Sequence, residues 1–195
     1  MSTPAQPRIY LAGPEVFLPN AHAIGAAKAE ICREYGLVGV FPLDGQLDIE
    51  RLPPGEQARE ISLANEGLMR SCDAIIANLT PFRGAAMDSG TAFEVGFMRA
   101  LGRPIFGYTN VASDYAERAG IVRRDALVPG DFDADGLEIE DFGLTENLMI
   151  AIAVSETGSD VVRHAGGEID VRNDLATFRR SVEDAAAHYR GKATS

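Results

Sequence analysis

Four short apolar runs limit most strongly what this chain can fold into. They cover residues 8–12, 37–41, 73–79 and 102–108. Each is too brief for a helix, and the run from Asp73 through Ala74, Ile75, Ile76, Ala77 and Asn78 to Leu79 has the β-branched, unbroken character of a strand buried on both faces. Gly13 and Pro14 stop the first run, and Gly102 and Pro104 introduce the fourth. Between the strands lie stretches with helical spacing. Ile24, Ala27, Ile31 and Tyr35 mark one over residues 20–35, with Asn20 as a cap and Gly36 as its stop, and a second covers residues 57–72. Short apolar strands alternating with amphipathic helices predict an α/β fold, a doubly wound parallel sheet of about five strands with helices on both faces. The 195 residues suit a single domain over 1–195, with 1–7 and 191–195 expected to be flexible termini.

Two later segments extend this plan. Residues 144–155 read as a helix that is apolar nearly all round, with Leu148, Met149, Ile150, Ile152 and Val154 leaving no solvent face. Such a helix should be buried on more than one side, so a homo-oligomer is expected. A final helix over residues 172–190 carries Leu175, Phe178, Val182, Ala186 and Tyr189 at helical spacing and is expected to pack on the sheet. Residues 42–56, rich in Pro, Gly and Asp, read as a surface loop, as does the acidic stretch 131–141.

Composition narrows the function. With 18 Lys and Arg against 29 Asp and Glu the net charge is −11, which opposes a polyanionic partner, so no nucleic acid polymer is expected. No apolar run approaches the roughly 20 residues that span a bilayer, and no membrane association is expected. The first residues lack the apolar core of a secretory signal, and only two cysteines occur, Cys32 and Cys72. A cytoplasmic protein with two buried free thiols is expected. His22, His164 and His188 have no ligand spacing, so no metal is expected.

The segment from Asp88 to Gly96 stands out. If Asp88 caps a helix, Gly90, Glu94, Phe97, Met98 and Leu101 share a stripe and Glu94 faces inward. A buried carboxylate is usually paired, hydrogen-bonded or functional. The alternative is a glutamate favoured only by the helix dipole, with Asp88 a simple cap. Gly90, one turn earlier, leaves room for a ligand. In doubly wound sheets ligands sit beyond the carboxyl ends of the strands, where Gly13, Pro14 and the start of this helix would meet. Tyr10 then either reaches Glu94 or is a core tyrosine whose hydroxyl is satisfied by backbone.

The chain resembles the nucleoside 2-deoxyribosyltransferase family. The resemblance rests on Ile9-Tyr10-Leu11-Ala12-Gly13-Pro14, Cys72-Asp73, Asp88-x-Gly90-x-x-x-Glu94-x-Gly96, Gly102-Arg103-Pro104-Ile105 and Asn147-Leu148-Met149, in that order over about residues 8–150. It implies a flavodoxin-like (Rossmann-like) fold, Glu94 as nucleophile, Tyr10 orienting it, Asp73 near the base and Asp88 on a sugar hydroxyl. It also implies that Asn147 and Met149 complete a neighbouring subunit's pocket.

The substrates implied are a 2′-deoxyribonucleoside and a free purine or pyrimidine base. Retention of configuration through two displacements requires a covalent deoxyribosyl–Glu94 intermediate, as in retaining glycosidases, and because that intermediate keeps the energy of the glycosidic bond no cofactor is expected. For Glu94 to be ionised, hydrogen bonds from Tyr10 and the helix N-terminus must at least offset desolvation. Asp73 would be general acid and base, or else a structural residue ending the preceding helix. The loop over 42–56 and the neighbour's Met149 would exclude water.

Two other functions fit the pattern. A 2′-deoxynucleoside 5′-monophosphate N-glycosidase would need a phosphate anchor, for which Arg83 is the nearby cation, and otherwise Arg83 is a solvated loop residue. A noncatalytic nucleoside- or nucleotide-sensing module is the other.

Overall fold

The computed structural model describes residues 5–44, 48–120, 133 and 135–193. Five strands form one sheet: β1 (Arg8–Ala12), β2 (Val38–Val40), β3 (Ala74–Asn78), β4 (Ile105–Thr109) and β5 (Val162–Arg163). Their order is β2-β1-β3-β4-β5 and every pairing is parallel. This is the doubly wound order in which the strand sequence reverses between β1 and β3, the point where a crevice opens at the carboxyl edge.

Alternation along each strand sorts the core onto two faces. Ile9 and Leu11 of β1, with Ala74 and Ile76 of β3, pack against α1 (Ala21–Glu34) and α6 (Ala176–Ala193) through Ile31, Phe178, Val182 and Ala186. Tyr10 and Ala12, with Ile75 and Ala77, pack against α2 (Pro54–Arg70), α3 (Ser89–Ala100) and α5 (Leu148–Thr157) through Met69, Val95, Met98 and Val154. A short α4 (Tyr115–Ala119) follows β4. The two cysteines lie in opposite layers, Cys32 beside α6 and Cys72 beside α3, and both are free and buried. Burial pushes the Cys32 thiol up to about 12. No helix among the described residues is long and apolar enough to cross a membrane.

Several expectations need correction. The helix expected over 144–155 begins only at Leu148, because Thr145 and Glu146 are drawn into buried hydrogen bonds that a helix would not allow. It is also not covered all round within one chain: Ala151, Ala153 and Val154 are buried, while Met149 is 72% and Ile152 42% exposed. The last helix starts at Ala176, where Asp174 Oδ1 accepts from the Ala176 amide, and it continues through residues 191–193, which were expected to fray. The loop over 42–56 contains a short 3-10 turn (Pro42–Asp44) and ends where Pro54 opens α2. Its residues 45–47 lie outside the described residues, as do 131, 132 and 134 of the acidic stretch.

Candidate active site

The centre of the site is the contact between Tyr10 and Glu94. Tyr10 lies in the middle of β1, fully buried, with its side chain on the α3 layer. Asp88 starts α3: its Oδ2 accepts from the Thr91 amide at 2.9 Å and from Thr91 Oγ1 at 3.1 Å. A helix started there buries Thr91, Val95 and Met98 and carries Glu94 at the margin of that stripe. The Tyr10 hydroxyl donates to Glu94 Oε1 at 2.6 Å. Glu94 is therefore inward-facing and partnered, though only partly buried, and the last residue expected on its stripe, Leu101, is exposed.

The expected balance of forces on Glu94 is reversed. Desolvation is the largest influence, the Tyr10 hydrogen bond opposes it, and the Asp88 charge adds to it, so the carboxyl is pushed up to about 7. The tyrosine answers in kind: burial and the neighbouring carboxylate hold its hydroxyl well above the ordinary range, fixing Tyr10 as a donor. A carboxyl poised near neutrality and held by one oxygen is the kind of perturbed group that clusters at functional sites.

Asp73 is not brought to this point. It precedes β3, at the edge of the sheet opposite the carboxyl rim, with its Oδ2 accepting from the Arg8 amide at 2.9 Å and its Oδ1 3.9 Å from Arg103. Its side chain is 45% exposed, and the carboxylate whose charge Glu94 feels is Asp88. Asp73 joins β1, β3 and the start of β4, which is the structural alternative. Gly90 does leave room, but for Asp88: a Cβ there would sit 3.0 Å from Asp88 Oδ2. Asn147 caps α5, its Oδ1 accepting from the Met149 amide at 3.0 Å, and Met149 stands out in solvent.

Gly13 and Pro14 lead into a 3-10 turn (Pro14–Phe17) that holds what the sequence reading missed. Glu15 is buried, with Oε1 accepting from Lys28 Nζ at 2.5 Å, Tyr108 Oη at 2.7 Å and Asn78 Nδ2 at 3.0 Å. Its Oε2 lies against Gly13, where a Cβ would collide with it, so glycine is needed there by close approach. The signal was available: Lys28 falls between Ile24 and Ile31 on the apolar stripe of α1, the same anomaly that marked Glu94. Burial pushes Glu15 up, but Lys28 and Tyr108 outweigh it, so its carboxyl lies below the usual range.

Beyond this network, at the switch point of the sheet, lies a cavity of about 540 Å³. Its floor and near wall include Pro14, Glu15, Asn78 and Thr80, and its lip includes Phe17, Phe82, Arg83 and Arg172. Neither Glu94 nor Asp88 lines it. Phe17 and Phe82 stack with centroids 5.4 Å apart, and the Arg83 guanidinium lies over both rings. Arg83 has a left-handed backbone (φ 56°), an uncommon state for a side-chain-bearing residue.

In sequence and fold the chain is similar to known proteins along most of its length. The family model for nucleoside 2-deoxyribosyltransferase matches residues 9–149. An uncharacterized protein of Schizosaccharomyces pombe is 37% identical over 196 residues, covering 93% of this chain and 89% of that one. A 2-deoxyribosyltransferase from Leishmania mexicana is similar in structure with a TM-score of 0.58 and 32% identity, covering 91% of this chain and 97% of the other. A conserved protein from Enterococcus faecalis V583 shares the fold at 19% identity and a TM-score of 0.55, with 93% and 99% covered. The matched span holds Tyr10, Asp88, Glu94 and Asn147 together, and on that span the chain belongs to the nucleoside 2-deoxyribosyltransferase family.

Proposed function

We propose that the protein exchanges nucleobases on 2′-deoxyribonucleosides by a retaining double displacement through Glu94. The observation that carries this reading is the 2.6 Å Tyr10–Glu94 hydrogen bond, which engages Oε1 and leaves Oε2 as the attacking oxygen. In the first step Oε2 bonds to C1′, the C1′–N bond breaks with its electron pair going to the base, and the base takes up a proton from solvent. In the second, a nitrogen of the incoming base bonds to C1′, the ester breaks to restore the Glu94 carboxylate, and the new nucleoside releases a proton. Asp88, facing Glu94 from the helix cap, holds a sugar hydroxyl. Asp73 has no part in proton transfer, because of its place at the opposite edge of the sheet. The similar L. mexicana protein, a 2-deoxyribosyltransferase, supports the substrate class.

The same reading includes a homo-oligomer in the cytoplasm, with Asn147 and Met149 at a neighbour's site. Phe93, Met149 and Ile152 expose apolar area on α3 and α5, the helices of the layer that carries Glu94. Sedimentation is expected to show an assembly, and Met149→Asp to weaken it and lower base exchange together. A monomeric wild-type protein of full activity would exclude a shared site.

One observation favours the monophosphate glycosidase as a second reading: two cations, Arg83 and Arg172, line the cavity at the switch point. The test is incubation of deoxyinosine with free adenine, beside deoxyadenosine 5′-monophosphate alone, following new nucleoside and released base. Base exchange on the nucleoside is expected, with hydrolysis slower. Base release from the monophosphate without exchange would replace the transferase by the glycosidase.

A further inference from the structure

Arg118 lies in the last turn of the short α4, and Glu146 lies just before α5, 28 residues further along the chain. Both are nearly buried, at 10% and 2% side-chain exposure, with Arg118 Nη2 3.4 Å from Glu146 Oε2. A buried ion pair is rarely retained for stability alone, since apolar residues of like volume serve about as well. What distinguishes this pair is what else it holds.

Arg118 spreads its guanidinium over three backbone carbonyls. Nε donates to Ala85 O at 2.9 Å, Nη1 to Ser113 O at 2.7 Å and Nη2 to Thr145 O at 2.7 Å. Glu146 accepts two backbone amides from opposite sides, Met87 N at Oε2 (2.9 Å) and Asn147 N at Oε1 (3.0 Å). Met87 is the residue before Asp88, which caps α3. Asn147 is itself the cap of α5, and Glu140 Oε2 accepts from its Nδ2 at 3.0 Å. One carboxylate thus ties the backbone beside two helix caps that are 59 residues apart in sequence.

We propose that the Arg118–Glu146 pair is a clamp that sets Asp88 and Asn147 in register, and that Glu146 is a positioning residue for the deoxyribose site. The second part rests on the reading of Asp88 as a sugar ligand given above. An apolar pair at these positions would fill the space and leave the Met87 and Asn147 amides without an acceptor. The two caps would then move independently. Because Asn147 and Met149 are read as serving a neighbour's site, the clamp links this chain's sugar contact to the lip it lends.

Glu146→Gln removes the charge and keeps one carbonyl acceptor. By amide hydrogen–deuterium exchange on the full chain, the variant is expected to exchange faster at residues 87–91 and 147–151, with β1, β3 and α6 unchanged. Arg118→Lys keeps a charge and loses the guanidinium fork. It is expected to loosen the same two segments, and it serves if Glu146→Gln does not fold. Unchanged protection at either segment, or faster exchange across the whole sheet, would overturn the clamp.

The functional part has its own readout. Glu146→Gln is expected to lower kcat/KM for base exchange about tenfold in the wild-type background, and less than about twofold in an Asp88→Asn background, where the contact it positions is already lost. Equal costs in both backgrounds would overturn the positioning role. A wild-type protein with no base exchange would defeat the nucleoside reading instead, and the amide measurement would still decide the clamp.

Discussion

Glu94→Gln is expected to abolish base exchange and, at the same time, to make the protein more stable above pH 7. Glutamine keeps the shape of the side chain and an oxygen to accept from Tyr10, but it cannot form the ester. Loss of a nucleophile should cost about 10⁴-fold or more in kcat. The stability effect follows from the raised carboxyl. With Glu94 at about 7 in the folded state, the folded protein keeps a proton that the unfolded chain, with an ordinary carboxyl, has already released between these values. Stability therefore falls as pH rises through that window, by an amount on the order of 3 kcal/mol once past neutrality. Glutamine has no such loss. Urea denaturation should give similar stability for the two proteins near pH 4 and a clear advantage for Glu94→Gln at pH 8. In the wild type kcat/KM should rise between pH 6 and 8 as Glu94 ionises. A variant that is less stable at pH 8, or that still exchanges bases, contradicts this role for Glu94.

Lys28→Met is expected to have the largest effect on stability. Lys28 is fully buried and its ammonium meets Glu15 at 2.5 Å, so methionine leaves a carboxylate in the core without its counter-charge. Removing one partner of a buried pair typically costs about 3–5 kcal/mol. In the wild type the lowered Glu15 carboxyl adds stability that is present above the ordinary carboxylate range and lost as pH falls through its folded value. In the variant only the Tyr108 and backbone hydrogen bonds still oppose burial, so the Glu15 carboxyl moves up and the deficit should shrink as the solution is made acid. Adding Glu15→Gln, which keeps an acceptor for Tyr108 and Asn78, should recover much of the loss at neutral pH. A cost below about 1 kcal/mol, or one independent of pH, would show that the pair does not hold the turn after β1.

How much of this was legible depends on the range over which each signal acts. Strand and helix periodicity is local, so the four apolar runs became β1 to β4, and the stripes carrying Ile31 on α1 and Phe178 and Val182 on α6 meet in one core layer. A fifth strand was expected but not located, because Val162 and Arg163 of β5 are too short to show alternation. Glu94 was legible because a carboxylate beside an apolar stripe is a local anomaly, and its partner Tyr10 followed from the order of elements. Asp73 was placed near the base by resemblance alone, whereas its position before β3 sets it on the edge of the sheet away from Glu94. The start of α5 was missed for a longer-range reason: Glu146 is taken out of the helix by Met87 and Arg118, neither of which is near it in sequence. Lys28 carried the same local anomaly as Glu94, but its partner Glu15 lies in a turn whose burial depends on Tyr108 of β4.

The claim that Glu94 is the nucleophile is tested most directly by trapping the intermediate. Wild-type protein mixed with a 2′-deoxynucleoside in the absence of acceptor base and quenched in acid should gain the mass of one deoxyribosyl unit, and peptide mapping should place it on Glu94. Free adenine added before the quench should discharge it. Base exchange without any adduct, or an adduct on another residue, would contradict the account.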